Sequence, residues 1–455
     1  MKERIMSHPL VEKYGETRLP RYTSYPTAPA FSSAIGGGTY GDWLAELHTG
    51  DPVSLYLHIP FCRSMCWYCG CHTTITKQDR PILDYLDVLR QEIDLIASRA
   101  KQPLLVQNVH FGGGTPTIMR PEEFVDLMKH LRNAFELTPE VEIAVEIDPR
   151  TLASEMVDAL AKGGVCRASL GVQSFDPVVQ AAINRNQTFE QTETAVLQLR
   201  EAGIGSINFD LIYGLPYQTV PSCIDTVQTA VRLRPERFSV FGYAHIPAFK
   251  KHQRLIDEAT LPNAEERNSQ AEAIAEALVD AGYVQIGLDH FALPTDELSM
   301  ASARGDLKRN FQGYTTDTCE TLIGLGASAI GKLPGGYVQN EVAPGAYAQR
   351  IASGILATVK GYRLTGQDRF RAAIIERLMC DFVVDLNRLG ARFGHEAGLV
   401  LDGNDRLRAL ENDGVVTVRD GLVTVRKDLR FMIRAVAAAF DAYIGASGRT
   451  HSKAA

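Results

Sequence analysis

Six short β-rich runs, each followed by a helix-like stretch, constrain this chain more than any other feature. They cover residues 53–60 (VSLYLHIP), 108–114 (NVHFGGG), 142–149 (EIAVEIDP), 167–174 (RASLGVQS), 207–215 (INFDLIYGL) and 237–245 (RFSVFGYAH). Segments between them, such as PEEFVDLMKHLRNAF and FEQTETAVLQLREAG, carry helical periodicity, and the second ends at Gly203, a suitable helix stop. Strands alternating with helices predict an α/β chain with a parallel sheet and right-handed crossovers. Six units fit either an open doubly wound sheet or a curved, incomplete barrel. Periodicity does not choose between them. In both architectures ligands gather at the carboxyl ends of the strands.

The flanks differ in character. An arm containing RLPRYTSYPTAPAF precedes the repeats and is too rich in Pro, Tyr and Ser for regular structure. Beyond the sixth unit, GYVQIGLDHFAL is expected to add a strand, and RNFQGYTT to be a loop. From about Lys360, RFRAAIIERLMCDFVVDL predicts an amphipathic helix, GVVTVRDGLVTV a hairpin turning at Asp420-Gly421, and DLRFMIRAVAAAFDAY a final helix. Helix, hairpin and helix suggest a mostly helical, winged-helix-like C-terminal domain. The expected division is an arm at 1–49, a barrel with its extension at 50–350 and a cap at 360–455.

Composition then excludes several classes. A net charge of −7 argues against a general nucleic-acid binder. Residues 360–455 carry 16 Lys/Arg against 12 Asp/Glu, only +4, so a lid or packing unit is expected of the winged module in preference to DNA binding. No apolar run approaches the ~18 residues that span a bilayer. MKERIMSHPLVEK lacks the apolar stretch of a secretory signal, and a cytoplasmic location is expected.

Four of the eight cysteines, Cys62, Cys66, Cys69 and Cys71, lie within ten residues, at the end of the first predicted strand. A disulfide scaffold would be short and evenly Cys-rich. The C-x-x-x-C-x-x-C spacing of the first three should arise by chance only about 0.0025 times in such a chain. Metal is the better explanation. Zinc, with Cys71 or His72 as a fourth ligand, is one option, although structural zinc sites usually join two separated pairs. Three thiolates on one loop also suit three irons of a [4Fe–4S] cluster, leaving the fourth iron open. Cys166, Cys223, Cys319 and Cys380 are expected to be reduced, buried thiols.

The loop resembles the signature of the radical S-adenosylmethionine (SAM) superfamily. Further motifs stand in order along nearly the whole chain: RYTSYPTA, the extension to Cys71, FGGGTPT, EIDPR, GVQSF, INRNQ, NFDLIYGLP, YAH, GLDHFA and NFQGYTT. Together they resemble the oxygen-independent coproporphyrinogen III oxidases, or dehydrogenases. This resemblance implies a partial (β/α)6 radical SAM barrel and two SAM molecules beside the cluster. It implies anaerobic oxidative decarboxylation of the ring A and B propionates of coproporphyrinogen III to vinyl groups, giving protoporphyrinogen IX through 5′-deoxyadenosyl radicals. A donor such as a flavodoxin or ferredoxin system would supply electrons to a monomeric enzyme. The alternative is a related haem chaperone that binds haem without decarboxylating; it shares the three-Cys loop but lacks the counterpart of Cys71.

Residue by residue, the chemistry and the resemblance can be set side by side. Tyr56 and His58 alternate with Leu55, Leu57 and Ile59, so they share one strand face beside the cysteines. The resemblance assigns Tyr56 to the first SAM, and His58 is a catalytic candidate with Cys71, a non-ligand. Gly112, Gly113 and Gly114 allow close backbone approach to a ligand; the resemblance gives Gly113 to the first SAM, and Gly114 with Thr115 to the second. Glu146 and Asp210 each interrupt an apolar strand, where a carboxylate is costly unless answered. The resemblance assigns Glu146 and Ile330 to the first SAM, and Gln173, Arg185, Asp210 and Ala244 to the second, with Tyr68 beside them. Arg185, Ala244 and Ile330 rest on the resemblance alone. Four propionates need cationic partners, and Arg21, Lys308 and Arg309 are candidates.

Overall fold

The computed structural model describes Leu10, Lys13, Tyr14 and residues 19–444. The rest of the arm's first 18 residues, and the end of the cap from 445 onward, lie outside the described residues.

Six parallel strands form the frame: β1 (Pro52–Ile59), β2 (Leu105–Gly113), β3 (Glu136–Ile147), β4 (Arg167–Gln173), β5 (Ser206–Tyr213) and β6 (Arg237–Gly242). Each matches one of the six runs. Helices connect them, and their apolar spacing shows why. Arg80–Arg99 buries Ile82, Leu86, Leu89, Ile93 and Ile96, at intervals of three and four that keep one stripe on the sheet. Thr188 opens Phe189–Glu201 with a reciprocal capping box to Gln191. On β1, Leu55, Leu57 and Ile59 are fully enclosed in the main core, each contributing about 2 kcal/mol by burial. The alternating Ser54, Tyr56 and His58 take the opposite face, the barrel interior.

The sheet extends well beyond the six units. Thr321–Leu325 runs parallel to β1, pairing Val53 with Thr321 through to Leu57 with Leu325. Ile330–Leu333, Gly336–Asn340 and Thr358–Arg363 follow antiparallel on that side, and His290–Ala292 with Val284–Ile286 on the other, making twelve strands. The segment 282–293 therefore supplies two strands where one was expected. RNFQGYTT, expected as a loop, is most of a hairpin pairing Lys308–Asn310 with Gly313–Thr315.

Around the C-terminal region the expected elements shift. The helix Gly366–Asp381 stops at Phe382, whose φ of 60° breaks the helical path, and Val383–Asp385 becomes a strand. That strand pairs with Leu422–Val425 of the expected hairpin, whose turn has positive φ at both Asp420 and Gly421, as a type I′ turn requires. The expected final helix is instead a 3-10 segment, Lys427–Met432, kinked at Leu429, followed by a helix, Ile433–Ala438. This region has its own core, and Leu19, Tyr22 and Tyr25 of the arm are packed into it. No helix among the described residues is long and apolar enough to cross a membrane.

Candidate functional site

The site occupies the C-terminal ends of the parallel strands. The chain leaves β1 at Ile59 and enters a two-residue strand, Phe61–Cys62, paired with Thr74–Ile75; this closes the cysteine loop at its base. Thr73 Oγ1 donates to Cys62 Sγ at 3.3 Å, and Thr115 Oγ1 lies 3.4 Å from the same sulfur. Cys66 is buried and receives two guanidinium N–H groups at 3.6 Å, from Arg150 and Arg185. Asp148 clamps both arginines, holding Arg150 through Nε at 2.9 Å and Nη2 at 2.6 Å. The Cys71 amide donates to Cys69 Sγ at 3.4 Å. The Cys71 thiol, as hydrogen-bond donor, draws the Cys69 thiol below its ordinary pKa, while Cys71 itself is raised. Lys250 and His252 donate to the carbonyls of Cys71 and Cys69 at 2.9 and 2.7 Å, and Gln253 joins the Tyr68 and Ala244 carbonyls.

Across the barrel interior, the glycine run packs directly against the ligand-facing strands. Gly113 has φ +114°, and a Cβ there would sit 2.7 Å from the His58 ring. A Cβ on Gly112 would meet Glu146 Oε1 at 2.8 Å, and one on Gly114 the Phe61 carbonyl at 2.5 Å. His58 Nε2 faces the His72 carbonyl at 3.0 Å; a carbonyl only accepts, so this nitrogen carries the proton. Burial lowers the His58 pKa, and the neutral ring therefore accepts from Tyr56 Oη at 3.0 Å through Nδ1. His58 is thus a strut between β1 and the cysteine loop.

Two carboxylates face this interior with opposite electrostatics. Burial alone would raise Glu146, but His110 at 3.3 Å, the Gly113 N–H at 3.1 Å and His58 bring it below its ordinary value. Asp210 accepts from Ser169 at 3.0 Å and Asn208 at 2.9 Å, yet burial, with Glu146 adding repulsion, pushes it up to about 7. Arg185 donates to the Gly171 carbonyl at 2.6 Å, while its buried Nε lacks a partner. Gln173 stands next to it, at φ 67°. Ile330 opens its strand beside Gly324, which pairs with Tyr56.

These residues suit the implied groups. The Cys62 sulfur faces two hydroxyls and the Cys66 sulfur two guanidinium donors, partners of the kind that surround cluster-ligating thiols; burial nevertheless raises the free Cys62 thiol. The glycine run leaves a cradle that any side chain would fill. Tyr56, His58, Gly113, Glu146 and Asp210 come together on this interior, with Cys62, Cys66, Tyr68, Cys69 and Cys71 on the loop beside it, whereas Arg21, Lys308 and Arg309 stand apart. Asp148, Arg150 and His110 were not singled out from sequence, although the two charges of EIDPR at a strand's carboxyl end were a usable signal. Of the scattered cysteines, Cys223 and Cys380 are buried as expected; Cys319 is half-buried, and Cys166 is exposed because it lies at the rim where β4 begins.

Comparison with known proteins agrees with this geometry. The Radical SAM superfamily model matches residues 56–230. The oxygen-independent coproporphyrinogen III oxidase of Bradyrhizobium diazoefficiens is 59% identical, covering 98% of this chain and 99% of its own length. The anaerobic coproporphyrinogen III oxidase 1 of Cereibacter sphaeroides is 41% identical, covering 94% and 95%. The solved structure of the Escherichia coli coproporphyrinogen III oxidase, a radical SAM enzyme, superposes with a TM-score of 0.89 at 37% identity, covering 94% of this chain and all of that one.

Proposed function

The chain belongs to the oxygen-independent coproporphyrinogen III oxidases of the radical SAM superfamily, and from that premise we propose that it converts the ring A and B propionates of coproporphyrinogen III to vinyl groups. The observation that carries this reading is the loop Cys62–Cys66–Cys69–Cys71 standing at the mouth of a barrel whose interior presents Glu146 and Asp210.

In this reading Cys62, Cys66 and Cys69 hold a [4Fe–4S] cluster. When bound, cluster and SAM supply one-electron cleavage of a sulfonium and the hydrogen abstraction that an unactivated propionate C–H requires. Glu146, ionised and aligned by His110, receives hydroxyls or the amino group of the first SAM, beside Tyr56, Gly113 and Ile330. Asp210, short of a positive partner, receives the cationic or hydroxyl end of a second SAM, with Gln173, Arg185, Ala244, Gly114, Thr115 and Tyr68 around it. Arg185 and Arg150 hold positive charge beside the Cys66 sulfur, which eases the addition of an electron nearby. His58 holds Tyr56 and the cysteine loop in one register. Cys71, carrying its own proton beside Cys69, completes the loop without binding iron. A flavodoxin- or ferredoxin-type donor, a monomeric state and a cytoplasmic setting belong to the same proposal.

The test is anaerobic reconstitution with iron and sulfide, followed by reductant, SAM and coproporphyrinogen III. The expected outcome is a brown protein that yields protoporphyrinogen IX and 5′-deoxyadenosine. Haem capture without decarboxylation would overturn the reading in favour of a chaperone.

A further inference from the structure

A second charged assembly lies apart from the cysteine loop, just beyond the end of β6. Arg309, on the first strand of the 308–315 hairpin, has a side chain only 5% exposed. Its guanidinium lies 4.3 Å over the Tyr314 ring. Tyr314 is itself locked: its hydroxyl donates to the Met379 carbonyl at 2.7 Å and accepts the Leu288 N–H at 3.0 Å, and a Cβ on Gly287 would overlap its ring. Arg309 Nη2 donates to the Arg21 carbonyl at 3.4 Å. Its Nε and Nη1 are buried without a hydrogen-bond partner. The carboxylate in ion-pair range is Asp289, 4.0 Å from Nη1, and the same oxygen already accepts from His290 Nδ1 at 2.8 Å.

Arg21 completes the corner. Its side chain is exposed and donates to the Gly242 carbonyl, at the end of β6, at 2.9 Å. Arg434 holds the arm on either side, donating to the Pro20 carbonyl at 3.0 Å and to the Leu19 carbonyl. Asp289 feels both arginines: burial would raise it, but His290, then Arg309 and Arg21, bring it down to about 2. The Arg309 guanidinium therefore faces a carboxylate oxygen that His290 has already claimed, while that of Arg21 is held by the Gly242 carbonyl. An arginine does not shed its proton when buried, so its spare N–H groups call for an anionic acceptor. Lys308, the neighbouring candidate, points elsewhere: its Nζ pairs with Glu376 at 3.6 Å and its side chain is 40% exposed.

We propose that Arg309 and Arg21 form a carboxylate-binding site that takes a propionate of the tetrapyrrole substrate. The proposal rests on the functional reading above and adds an anchor for its substrate. Arg309 is preorganised by its tyrosine stack, so little ordering is needed when the carboxylate arrives. Arg21 brings the arm into the same contact, and binding thereby ties the arm to the barrel mouth.

The test measures anaerobic equilibrium binding of coproporphyrinogen III to the reconstituted holoenzyme and to its Arg309→Gln and Arg21→Gln variants. Each substitution should weaken binding about 10- to 100-fold, the range for losing a charge-assisted hydrogen bond. Iron content and SAM binding should match the parent. Etioporphyrinogen, a tetrapyrrole without carboxylates, should bind weakly and equally to all three proteins. Arg21 is exposed, so its variant carries the test even where Arg309→Gln does not fold. Unchanged affinity in Arg21→Gln overturns the site and leaves Arg309 as a mere fastener of the arm. So does an equal loss for etioporphyrinogen. A parent protein that binds no coproporphyrinogen III would instead defeat the functional reading itself.

Discussion

The cysteine loop and the Arg21–Arg309 corner are both polar, and both sit at the barrel mouth, but they answer their charges differently. Around Cys66, two arginines meet an aspartate that clamps both and each donates to the sulfur, with the Arg185 Nε left over. At the corner, Arg309 meets an aspartate already occupied by His290, and its buried N–H groups are left over. In the proposed reading the first arrangement serves a resident cluster and the second a visiting carboxylate. Surplus charge in a buried place marks a ligand site better than charge alone, since a satisfied network has nothing left to offer.

That contrast can be broken by experiment. The largest effect belongs to the loop: Cys62→Ser, Cys66→Ser or Cys69→Ser should each abolish the cluster, seen as loss of bound iron and visible absorbance with no product formed. Cys71→Ser should retain iron while impairing turnover; loss of iron there would make Cys71 a ligand and redraw the loop.

Next is the cradle. Gly113→Ala places a Cβ against the His58 ring at a φ that disfavours side chains. The strain should cost on the order of 1–3 kcal/mol and weaken SAM binding more than about tenfold by equilibrium dialysis. Near-parental affinity would mean that the strand relaxes and that the close approach is not needed.

Asp210 provides a pH test. Its folded pKa of about 7 lies above its ordinary 3.8. Below about pH 4 both folded and unfolded chains hold the proton, and burial carries no ionisation cost. As pH rises toward 7 the unfolded chain ionises first, so stability falls, by on the order of 2–4 kcal/mol once both states are ionised. Asp210→Asn should therefore raise the Tm of the SAM-free protein at pH 8 and change it little near pH 4. An equal shift at both pH values would show that packing, not charge, explains it.

The smallest effect lies behind the site. Glu92 is buried and accepts from the Gly326 N–H at 2.6 Å, Asn340 at 2.7 Å and Tyr347 Oη at 2.7 Å, clamping the turn that leads to Ile330. Tyr347→Phe should cost about 1–2 kcal/mol in unfolding free energy while iron content stays at the parental level. A matching fall in iron would show that the clamp reaches the cysteine loop.

Legibility followed the distance between partners in the chain. The six strands could be predicted because each is a local run with its own period, and the cysteine loop because its residues lie within ten positions. Asp420-Gly421 was recognisable because a two-residue turn demands positive φ locally. The strand Thr321–Leu325 was missed because a five-residue buried run containing glycine has no alternation to betray it. Phe382 ends its helix in a conformation that no propensity announces, so the following strand was absorbed into the expected helix. Arg309 could be named as a candidate but not weighed. In sequence it stands beside Lys308 with equal claim, and only burial separates the two.

By itself the sequence determined the alternating α/β frame, the clustering of the loop thiols and the polar face shared by Tyr56 and His58, since periodicity and spacing are properties of neighbouring residues. Tertiary structure alone decided which charges are satisfied. Asp148 meets Arg185, Asp289 meets Arg309, and Leu19, Tyr22 and Tyr25 join a core built mostly from residues beyond 370. Each of these depends on desolvation and on partners brought from distant segments. A carboxylate's pKa or a guanidinium's spare hydrogen bonds come into being only when the chain closes around them.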